Sequence, residues 1–237
     1  MEGRPFPQRV ARLGEYFALA GAAGDGWRPM DELYDDAVLT DLVGATRAAM
    51  ARYAAAEPTD VPARVAASSL HLSVASRLVS PVMGGFATRS GVPVLTPDVL
   101  RWRRAGHAVQ FAAGPLPWVD TQNPATAAES VDRTLLAAVL QPLADRLDSA
   151  AGLSPKVMWG NVMSAANGAV TVMGLRDATL VPAGRELVGS LMQRPRLHGS
   201  ASMTGSTFRR RSCCLFYLAP GGGLCGDCVL ADPTDSH

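Results

Sequence analysis

The stretch from Pro62 to Ser80, PARVAASSLHLSVASRLVS, predicts a helix that is apolar nearly all round. Such a helix belongs in a protein core, because a helix on the surface keeps one polar face toward water. Amphipathic patterns predict further helices over residues 8–20, 35–56, 124–150, 154–174 and 183–194. The sequence therefore predicts a mainly helical protein, with the helix over residues 62–80 in its core.

The ends of the predicted helices carry the signals expected there. Gly21 closes the first helix, and Pro58 stops the second. Asn123 is placed to cap the helix that begins at Pro124, a residue that suits a first helical turn. Pro142 lies inside that helix and predicts a kink, because proline lacks the backbone N–H that a helix interior needs.

The middle of the chain has a different pattern. The segments GVPVLTP, from Gly91, and HAVQFAAGPLPWV, from His107, are short, β-branched or aromatic, and bounded by Gly and Pro. They predict two short strands or one hairpin. We therefore expect the α+β fold class, mainly α-helical with a small β-sheet or hairpin, plus a short C-terminal module.

A Gly/Ser-rich stretch separates this module from the helices. The sequence HGSASMTGSTF, from His198, is typical of a connector. It predicts a mainly helical domain over residues 1–200, which would bind the substrate or a partner, and a compact module over residues 201–237.

The composition limits the possible classes of function. A hydrophobic fraction of 48% over 237 residues is enough for a sizeable core without disulfides. The net charge of +1 creates no overall field that favours nucleic acid or membranes. No run approaches the roughly 18–20 apolar residues that span a bilayer, and the start of the chain has no secretory pattern. We expect a cytoplasmic protein without a stable membrane anchor, at most peripheral to the inner face of the membrane, that binds no nucleic acid.

All four cysteines lie in SCCLFYLAPGGGLCGDC, which begins at Ser212. Cytosolic thiols are kept reduced, so this grouping favours ligands over disulfides. A bridge between Cys213 and Cys214 would be strained, because adjacent Cα atoms lie about 3.8 Å apart and disulfides prefer about 4.4–6.8 Å. Crossed bridges from this pair to Cys225 and Cys228 remain open.

The same thiols are also candidate ligands of zinc or of a [2Fe–2S] cluster. Cys225 and Cys228 form a Cys-x-x-Cys half-site, but the adjacent pair begins with side chains that point apart, which suits one tetrahedral zinc ion poorly. A [2Fe–2S] cluster takes two thiolates per iron and is larger, so its ligands approach from different directions. The simplest pairing puts Cys213 and Cys214 on one iron and the other two on the second. The glycines of PGGG, from Pro220, predict a tight return that brings backbone amides to the sulfurs.

The segment RRRSCCLFYLAPGGGLCGDC, from Arg209, resembles the C-terminal signature of the FhuF-like ferric-siderophore reductases, Cys-Cys-x10-Cys-x2-Cys. The tripeptide WGN, from Trp159, recurs in such proteins and supports the resemblance. The resemblance implies that the C-terminal module binds one [2Fe–2S] cluster through four ligands: Cys213, Cys214, Cys225 and Cys228.

The resemblance also implies an enzyme, an oxidoreductase that acts on metal ions in iron acquisition. It would transfer one electron to the Fe(III) of an imported siderophore, of the hydroxamate type, and release Fe(II), which hard oxygen donors hold less well. No Gly-x-Gly-x-x-Gly follows a predicted strand, so the electron is expected from a separate donor such as a ferredoxin or a reductase.

Other functions remain compatible with four thiols. The chain could be a [2Fe–2S] redox or iron sensor, although it has no obvious helix-turn-helix and no strongly basic recognition helix. It could also be a structural zinc protein, or a siderophore-synthesis or carrier protein with an added cluster.

Positive charge is concentrated near the cysteines. No Asp or Glu occurs from Leu187 to Gly226, a span that contains Arg194, Arg196, Arg209, Arg210 and Arg211. An all-thiolate cluster is anionic, so nearby cations stabilise its reduced form and raise its potential. We hypothesise that the three consecutive arginines, Arg209, Arg210 and Arg211, set this potential or dock the siderophore or the donor.

Five further residues carry weaker signals. His71 and His198 could bind iron, but four cysteines already complete the ligand set, so structural roles are favoured. Arg77 lies inside the predicted buried helix and needs a partner, for which an acid from another helix is favoured. Trp159 is expected in the core, and Asn161 is expected to bond a neighbouring loop.

Overall fold

A computed structural model describes residues 3–205 and 207–231. The protein is 55% helical and has small sheets, so the expected α+β, mainly helical fold class is confirmed. The helices are α1 (Gln8–Ala11), α2 (Asp36–Tyr53), α3 (Ala63–Ala87), α4 (Pro124–Val131), α5 (Gln141–Ala151), α6 (Pro155–Arg176) and α7 (Val181–Met192).

Helix α3 forms the centre of the fold. Every residue from Leu78 to Ala87 is buried, and α2, α6 and α7 pack around the helix. The prediction of a buried helix is confirmed, but the helix continues through Pro81 beyond its expected end at Ser80. Gly84 lets the N-terminal segment pack closely, because a Cβ there would lie 2.8 Å from the Phe17 ring.

The predicted helix over residues 8–20 is wrong. The chain forms only the short helix α1 in this region, followed by a 3-10 turn over Glu15–Phe17 and strand β1 over Ala20–Gly21. The break falls at Gly14, whose φ of 150° is a conformation that L side chains rarely adopt. Apolar Val10, Leu13 and Phe17 still point into the core, which explains the misleading helical pattern.

The helix predicted over residues 124–150 contains a π-helical stretch. The Asn123 side chain accepts hydrogen bonds from the N–H groups of Ala125 and Thr126, as the capping signal predicts. The backbone is π-helical over Asp132–Leu140 and returns to α-helix in α5, which contains Pro142 near its start. The predicted kink at Pro142 stays a prediction, and the structure adds wider π-helical turns before the proline.

Within the described residues, eight short strands form three small sheets. They are β1 (Ala20–Gly21), β2 (Arg28–Pro29), β3 (Val92–Pro93), β4 (Leu100–Ala105), β5 (Ala108–Ala113), β6 (Trp118–Val119), β7 (Ala201–Thr204) and β8 (Thr207–Arg210). The first sheet has the order β1-β5-β4-β2, in which β1 is parallel to β5 and the other neighbours are antiparallel. The two predicted segments pair through β3 and β6, but sequence reasoning missed β4.

The predicted connector between the helices and the C-terminal module is wrong. Strands β7 and β8 form an antiparallel hairpin, with Ala201 opposite Arg210 and Met203 opposite Phe208. Ala201 and Phe208 belong to the same hydrophobic core as α3 and α6. The division at residue 200 stays a prediction, although the hairpin packs on the helices without a core of its own.

None of the helices within residues 3–205 and 207–231 has the length and hydropathy needed to cross a membrane.

Candidate metal centre

The four cysteines lie in one loop after strand β8, residues 211–230, which we call the cysteine loop. All four are free thiols; Cys214 and Cys228 are buried, whereas Cys213 and Cys225 are partly exposed. The Sγ atoms of Cys214 and Cys225 lie 3.7 Å apart. The simplest expectation paired the neighbours in sequence, whereas the structure brings one member of the adjacent pair to one member of the Cys-x-x-Cys pair.

This sulfur separation fits two thiolates on one metal ion. Two metal–sulfur bonds of about 2.3 Å at a tetrahedral angle place their sulfurs about 3.8 Å apart. Burial is the main cause that raises the pKa of Cys213, and the nearby thiols of Cys214 and Cys228 act in the same direction. Over the described parts of the chain, no three His, Cys, Asp or Glu side chains are grouped tightly enough for a single ion. The contact between Cys214 and Cys225 offers one pair of thiolates, and a [2Fe–2S] cluster takes two such pairs.

The pair Cys214 and Cys225 is prepared to lose a proton. The hydrogen bond between the two thiols lowers the pKa of Cys214 to about 6, and the positive charge of Arg210 acts in the same direction. The same hydrogen bond is the main cause that raises the pKa of Cys225. The contact therefore favours the thiolate form of Cys214, which is the form that binds metals.

Backbone amides reach the sulfurs, but they are not the amides of the glycines. The N–H of Leu215 donates to Cys213 Sγ at 3.3 Å, and that of Leu230 donates to Cys228 Sγ at 3.4 Å. Leu215 adopts φ +70°, a left-handed conformation, directly before the 3-10 turn over Phe216–Leu218. Hydrogen bonds of this kind favour the charged form of the sulfur and tune a bound cluster.

The glycines make the tight turn between the two cysteine pairs instead. Gly221 has φ +67°, and the N–H of Gly222 donates to Ala219 O at 2.8 Å. A Cβ at Gly222 would overlap Phe216 O, so no larger residue fits this turn. The prediction that glycine amides approach the sulfurs is not supported, whereas the prediction of a chain reversal is.

The family comparison agrees with this geometry. A family model described as the FhuF 2Fe-2S C-terminal domain matches residues 210–230. The match spans strand residue Arg210 and the cysteine loop, and it confirms the resemblance found in the sequence. No curated protein matches the chain.

Arg210, the first residue of the FhuF match, is buried, and the expectation of a docking residue there is therefore wrong. Its side chain is only 1% exposed. Its Nη2 donates to Asn161 Oδ1 at 2.7 Å and to Val157 O at 3.3 Å, both on α6. Its own N–H donates to Asp227 O at 3.1 Å, within the cysteine loop. Because Phe208 and Arg210 face the same side of β8, the strand alternation carries this arginine inward.

Asn161 joins Arg210 to the cysteines, as the expectation of a loop contact implied. Its Nδ2 donates to Ser68 O at 3.0 Å, and Ser68 Oγ donates to Cys214 O at 2.8 Å. Ser68 is on α3 and Asn161 on α6, and both are buried. A polar network thus crosses the core from the two central helices, α3 and α6, to the cysteine loop.

The glycine of WGN is explained by the same contact. A Cβ at Gly160 would overlap Ser212 Oγ and lie 3.0 Å from Arg210 Nη2. Ser212 directly precedes the first cysteine and donates from Oγ to Lys156 O at 2.8 Å. Trp159 packs against the core while partly exposed, so this tripeptide seats the cysteine loop through its glycine and asparagine.

Most of the other arginines in the basic stretch are engaged in contacts within the protein, so fewer of them are available to bind a partner. Arg194 and Arg196 both pair with Asp132, at 3.2 and 2.9 Å. Arg209 donates to Ala231 O at 2.8 Å, whereas Arg211 is exposed.

The remaining candidate residues of the sequence analysis are two histidines and Arg77. His198 is exposed, whereas His71 is fully buried, and its burial followed by the charge of Arg210 lowers its pKa to about 3. Within the described residues neither ring nitrogen of His71 has a hydrogen-bond partner. Arg77 finds the expected acid, because its Nη2 lies 3.6 Å from Glu15 Oε1.

The outer surface of the cysteine loop carries exposed apolar side chains. Large hydrophobic side chains that are at least one third exposed occur throughout it: Phe216, Tyr217, Leu224, Val229 and Leu230. The sequence analysis did not identify this exposed surface. Exposed apolar side chains in one short loop are typical of a surface that a partner or ligand covers.

Proposed function

We propose that this protein is a [2Fe–2S] ferric-siderophore reductase. The observation that carries the proposal is the 3.7 Å contact between the Sγ atoms of Cys214 and Cys225, in a segment that also contains Cys213 and Cys228 and matches the FhuF 2Fe-2S C-terminal domain. A ferric siderophore is the substrate, and the hydroxamate type is favoured by the resemblance.

The proposed reaction moves one electron. A bound cluster supplies a site that accepts and donates single electrons. The substrate Fe(III) gains that electron and becomes Fe(II), for which the hard oxygen donors of a siderophore have lower affinity because the ion charge is smaller. A separate donor, such as a ferredoxin or a reductase, then returns one electron to the cluster. The siderophore releases its metal without cleavage of its own covalent bonds.

The residues of this chain have three tasks in that reaction. The four cysteines hold the cluster, and the amides of Leu215 and Leu230 stabilise negative charge on two of the sulfurs. Arg210 adds a buried positive charge behind Cys214, which favours the reduced and more negative state. The partly exposed Cys213 and Cys225 leave the site open toward solvent, where a substrate or a donor can approach.

Leu224, Val229 and Leu230, the exposed apolar residues around the second cysteine pair, are the proposed docking surface for the electron donor. Leu224 and Leu230 are 55% and 52% exposed and flank the second cysteine pair. Arg211 lies at the other end of the loop and is exposed, so an acidic donor would be attracted to this surface. We expect the reaction in the cytoplasm, where such donors are found.

The test begins with the metal content. Anaerobically purified protein should be reddish-brown, contain iron, and lose visible absorption on reduction. Chemically reduced protein mixed with a ferric trihydroxamate and an Fe(II) trap should release Fe(II), and Cys225→Ser should abolish the release. A metal-replete sample that contains zinc and no iron would contradict the proposal. A reducible cluster without Fe(II) release from any of several siderophores would favour the sensor.

A further inference from the structure

A groove lies beside the cysteine loop, and one of its walls belongs to that loop. Its volume is about 770 Å³, which is within the size range of small-molecule sites. The C-terminal end of α2 lines it with Met50, Arg52 and Tyr53, and the cysteine loop lines it with Phe216 and Pro220. His107, at the tip of the β4–β5 hairpin, also lines the groove.

The groove is close to the cysteines along the chain. Phe216 follows Cys214 by two residues, so their Cα atoms lie at most about 7 Å apart. The turn at Gly221 that closes the loop also lines the groove. A molecule seated there would contact the loop that carries the thiols and therefore lie near any bound cluster.

The lining has a defined chemistry. Most of it is apolar or aromatic, and among the described residues that line the groove none is Asp or Glu, whereas Arg52 contributes a positive charge. Tyr53 is 96% exposed and Phe216 is 44% exposed, so two aromatic rings among the lining residues are available to a ligand. Aromatic side chains bind large apolar surfaces, and an uncompensated arginine favours a ligand without positive charge.

We propose that this groove is the binding site for the iron complex, held between Tyr53 and Phe216 with Arg52 at its rim. The inference rests on the proposed function and adds the location of the substrate. The ligand it fits is a compact ferric chelate with an apolar outer surface and a neutral or negative charge. The electron then passes to Fe(III) across the first residues of the cysteine loop, and the reduced complex leaves from the open side of the groove.

The test separates binding from electron transfer. The gallium(III) complex of desferrioxamine E, a cyclic trihydroxamate without a free amine, is neutral and has the shape of the ferric complex but is not reduced, so calorimetry reports its affinity alone. The double variant Tyr53→Ala/Arg52→Glu should bind it about tenfold more weakly, as expected when an aromatic anchor is truncated. The control Leu175→Ala/Arg133→Glu changes an exposed leucine and an exposed arginine outside the groove and should bind normally.

The outcomes distinguish this site from the function on which it depends. Weaker gallium-complex binding by the groove variant, with an unchanged visible spectrum, supports the groove. Unchanged binding by that variant, in a wild-type protein that does release Fe(II), overturns the groove and leaves the reductase intact. A wild-type protein that neither binds the gallium complex nor releases Fe(II) overturns the proposed function, and the groove with it.

Discussion

Arg210 is a cation placed in the core next to the candidate metal centre. A buried charge is unfavourable unless hydrogen bonds and opposite charge compensate it. Asn161 Oδ1 and Val157 O accept from Nη2, whereas Nε has no partner within the described residues. A bound all-thiolate cluster would supply the missing negative charge. The burial of this arginine is therefore coupled to the anion that the cysteines hold.

Removing the charge of Arg210 should lower the reduction potential of the cluster. Arg210→Gln keeps a hydrogen-bond donor toward Asn161 but loses the cation that stabilises the more negative reduced state. We expect a decrease on the order of 60 mV, a tenfold change in the one-electron equilibrium constant, measured by an anaerobic redox titration.

Two variants control this measurement. Arg211→Gln removes an exposed charge, which solvent screens, and should shift the potential much less. Arg210→Lys keeps the charge and should stay near the wild-type potential even if the cysteine loop is less stable. A potential that is the same in Arg210→Gln as in the wild type would mean that Arg210 acts only through packing.

Gly160 should be intolerant of even one methyl group. Gly160→Ala would overlap Ser212 Oγ and displace the residue before Cys213, so we expect faster loss of the cluster to a chelator and a decrease of about 1–3 kcal/mol in the free energy of unfolding. Gly168→Ala is the matched control, because a Cβ there meets no atom within 4 Å and alanine favours the helix.

The double variant Gly160→Ala/Ser212→Ala tests the cause of that effect. It removes the overlapping hydroxyl and should recover part of the lost stability, a coupling that a double-mutant cycle measures. If the two substitutions are simply additive, the damage at Gly160 comes from another contact.

His71 should make the protein less stable in acid. Its pKa is about 3 in the fold and about 6.5 in an unfolded chain, so the unfolded state takes up a proton first as the pH falls below 6.5. The free energy of unfolding should therefore decrease by about 1.4 kcal/mol between pH 7.5 and 5.5 from this group alone. Urea unfolding followed by tryptophan fluorescence should show a flatter pH dependence in His71→Leu. His198→Asn, at an exposed histidine, should keep the wild-type slope.

At the scale of elements, the sequence predicted the features that depend only on residues close together along the chain. The burial of α3 follows from its apolar composition, and the cap at Asn123 follows from one side chain and two amides. The positions of the four cysteines depend on spacing, so the candidate ligands were available from the sequence. These features need no knowledge of which segments meet in space.

Other elements depend on distant partners and escaped the sequence. The hairpin β7–β8 is Gly/Ser-rich and resembles a loop until Phe208 is known to pack in the core with the helices. Strand β4 has alternating burial, with Trp102 inside and Arg103 exposed, but its three arginines mask the pattern. The inward position of Arg210 could have been suspected from its alternation with Phe208, whereas its bond to Asn161 requires the docked helix.

In the whole molecule, hydrogen bonds join the cysteine loop to the central helices, and we treat them as one structural unit. Cys214 O accepts from Ser68 on α3, Asp227 O accepts from the N–H of Arg210, and the Arg210 side chain reaches Asn161 on α6. Whatever orders the loop should therefore also order the hairpin and the adjoining helix faces. Because of this coupling, the segment of the family match, residues 210–230, is held in place by residues far upstream in the sequence.

Removing the cluster should loosen this unit and little else. After chelation of the iron under anaerobic conditions, we expect faster hydrogen exchange in β7–β8 and in the start of α6, because the loop that braces them is no longer held by a shared metal site. Helix α5 packs on α2, α3 and α6 and is the internal control, with unchanged exchange. Faster hydrogen exchange that is confined to the cysteine loop would show that the hydrogen bonds around Arg210 stay formed without the cluster. Acceleration that includes α5 would show that the whole fold, rather than this unit, depends on the metal.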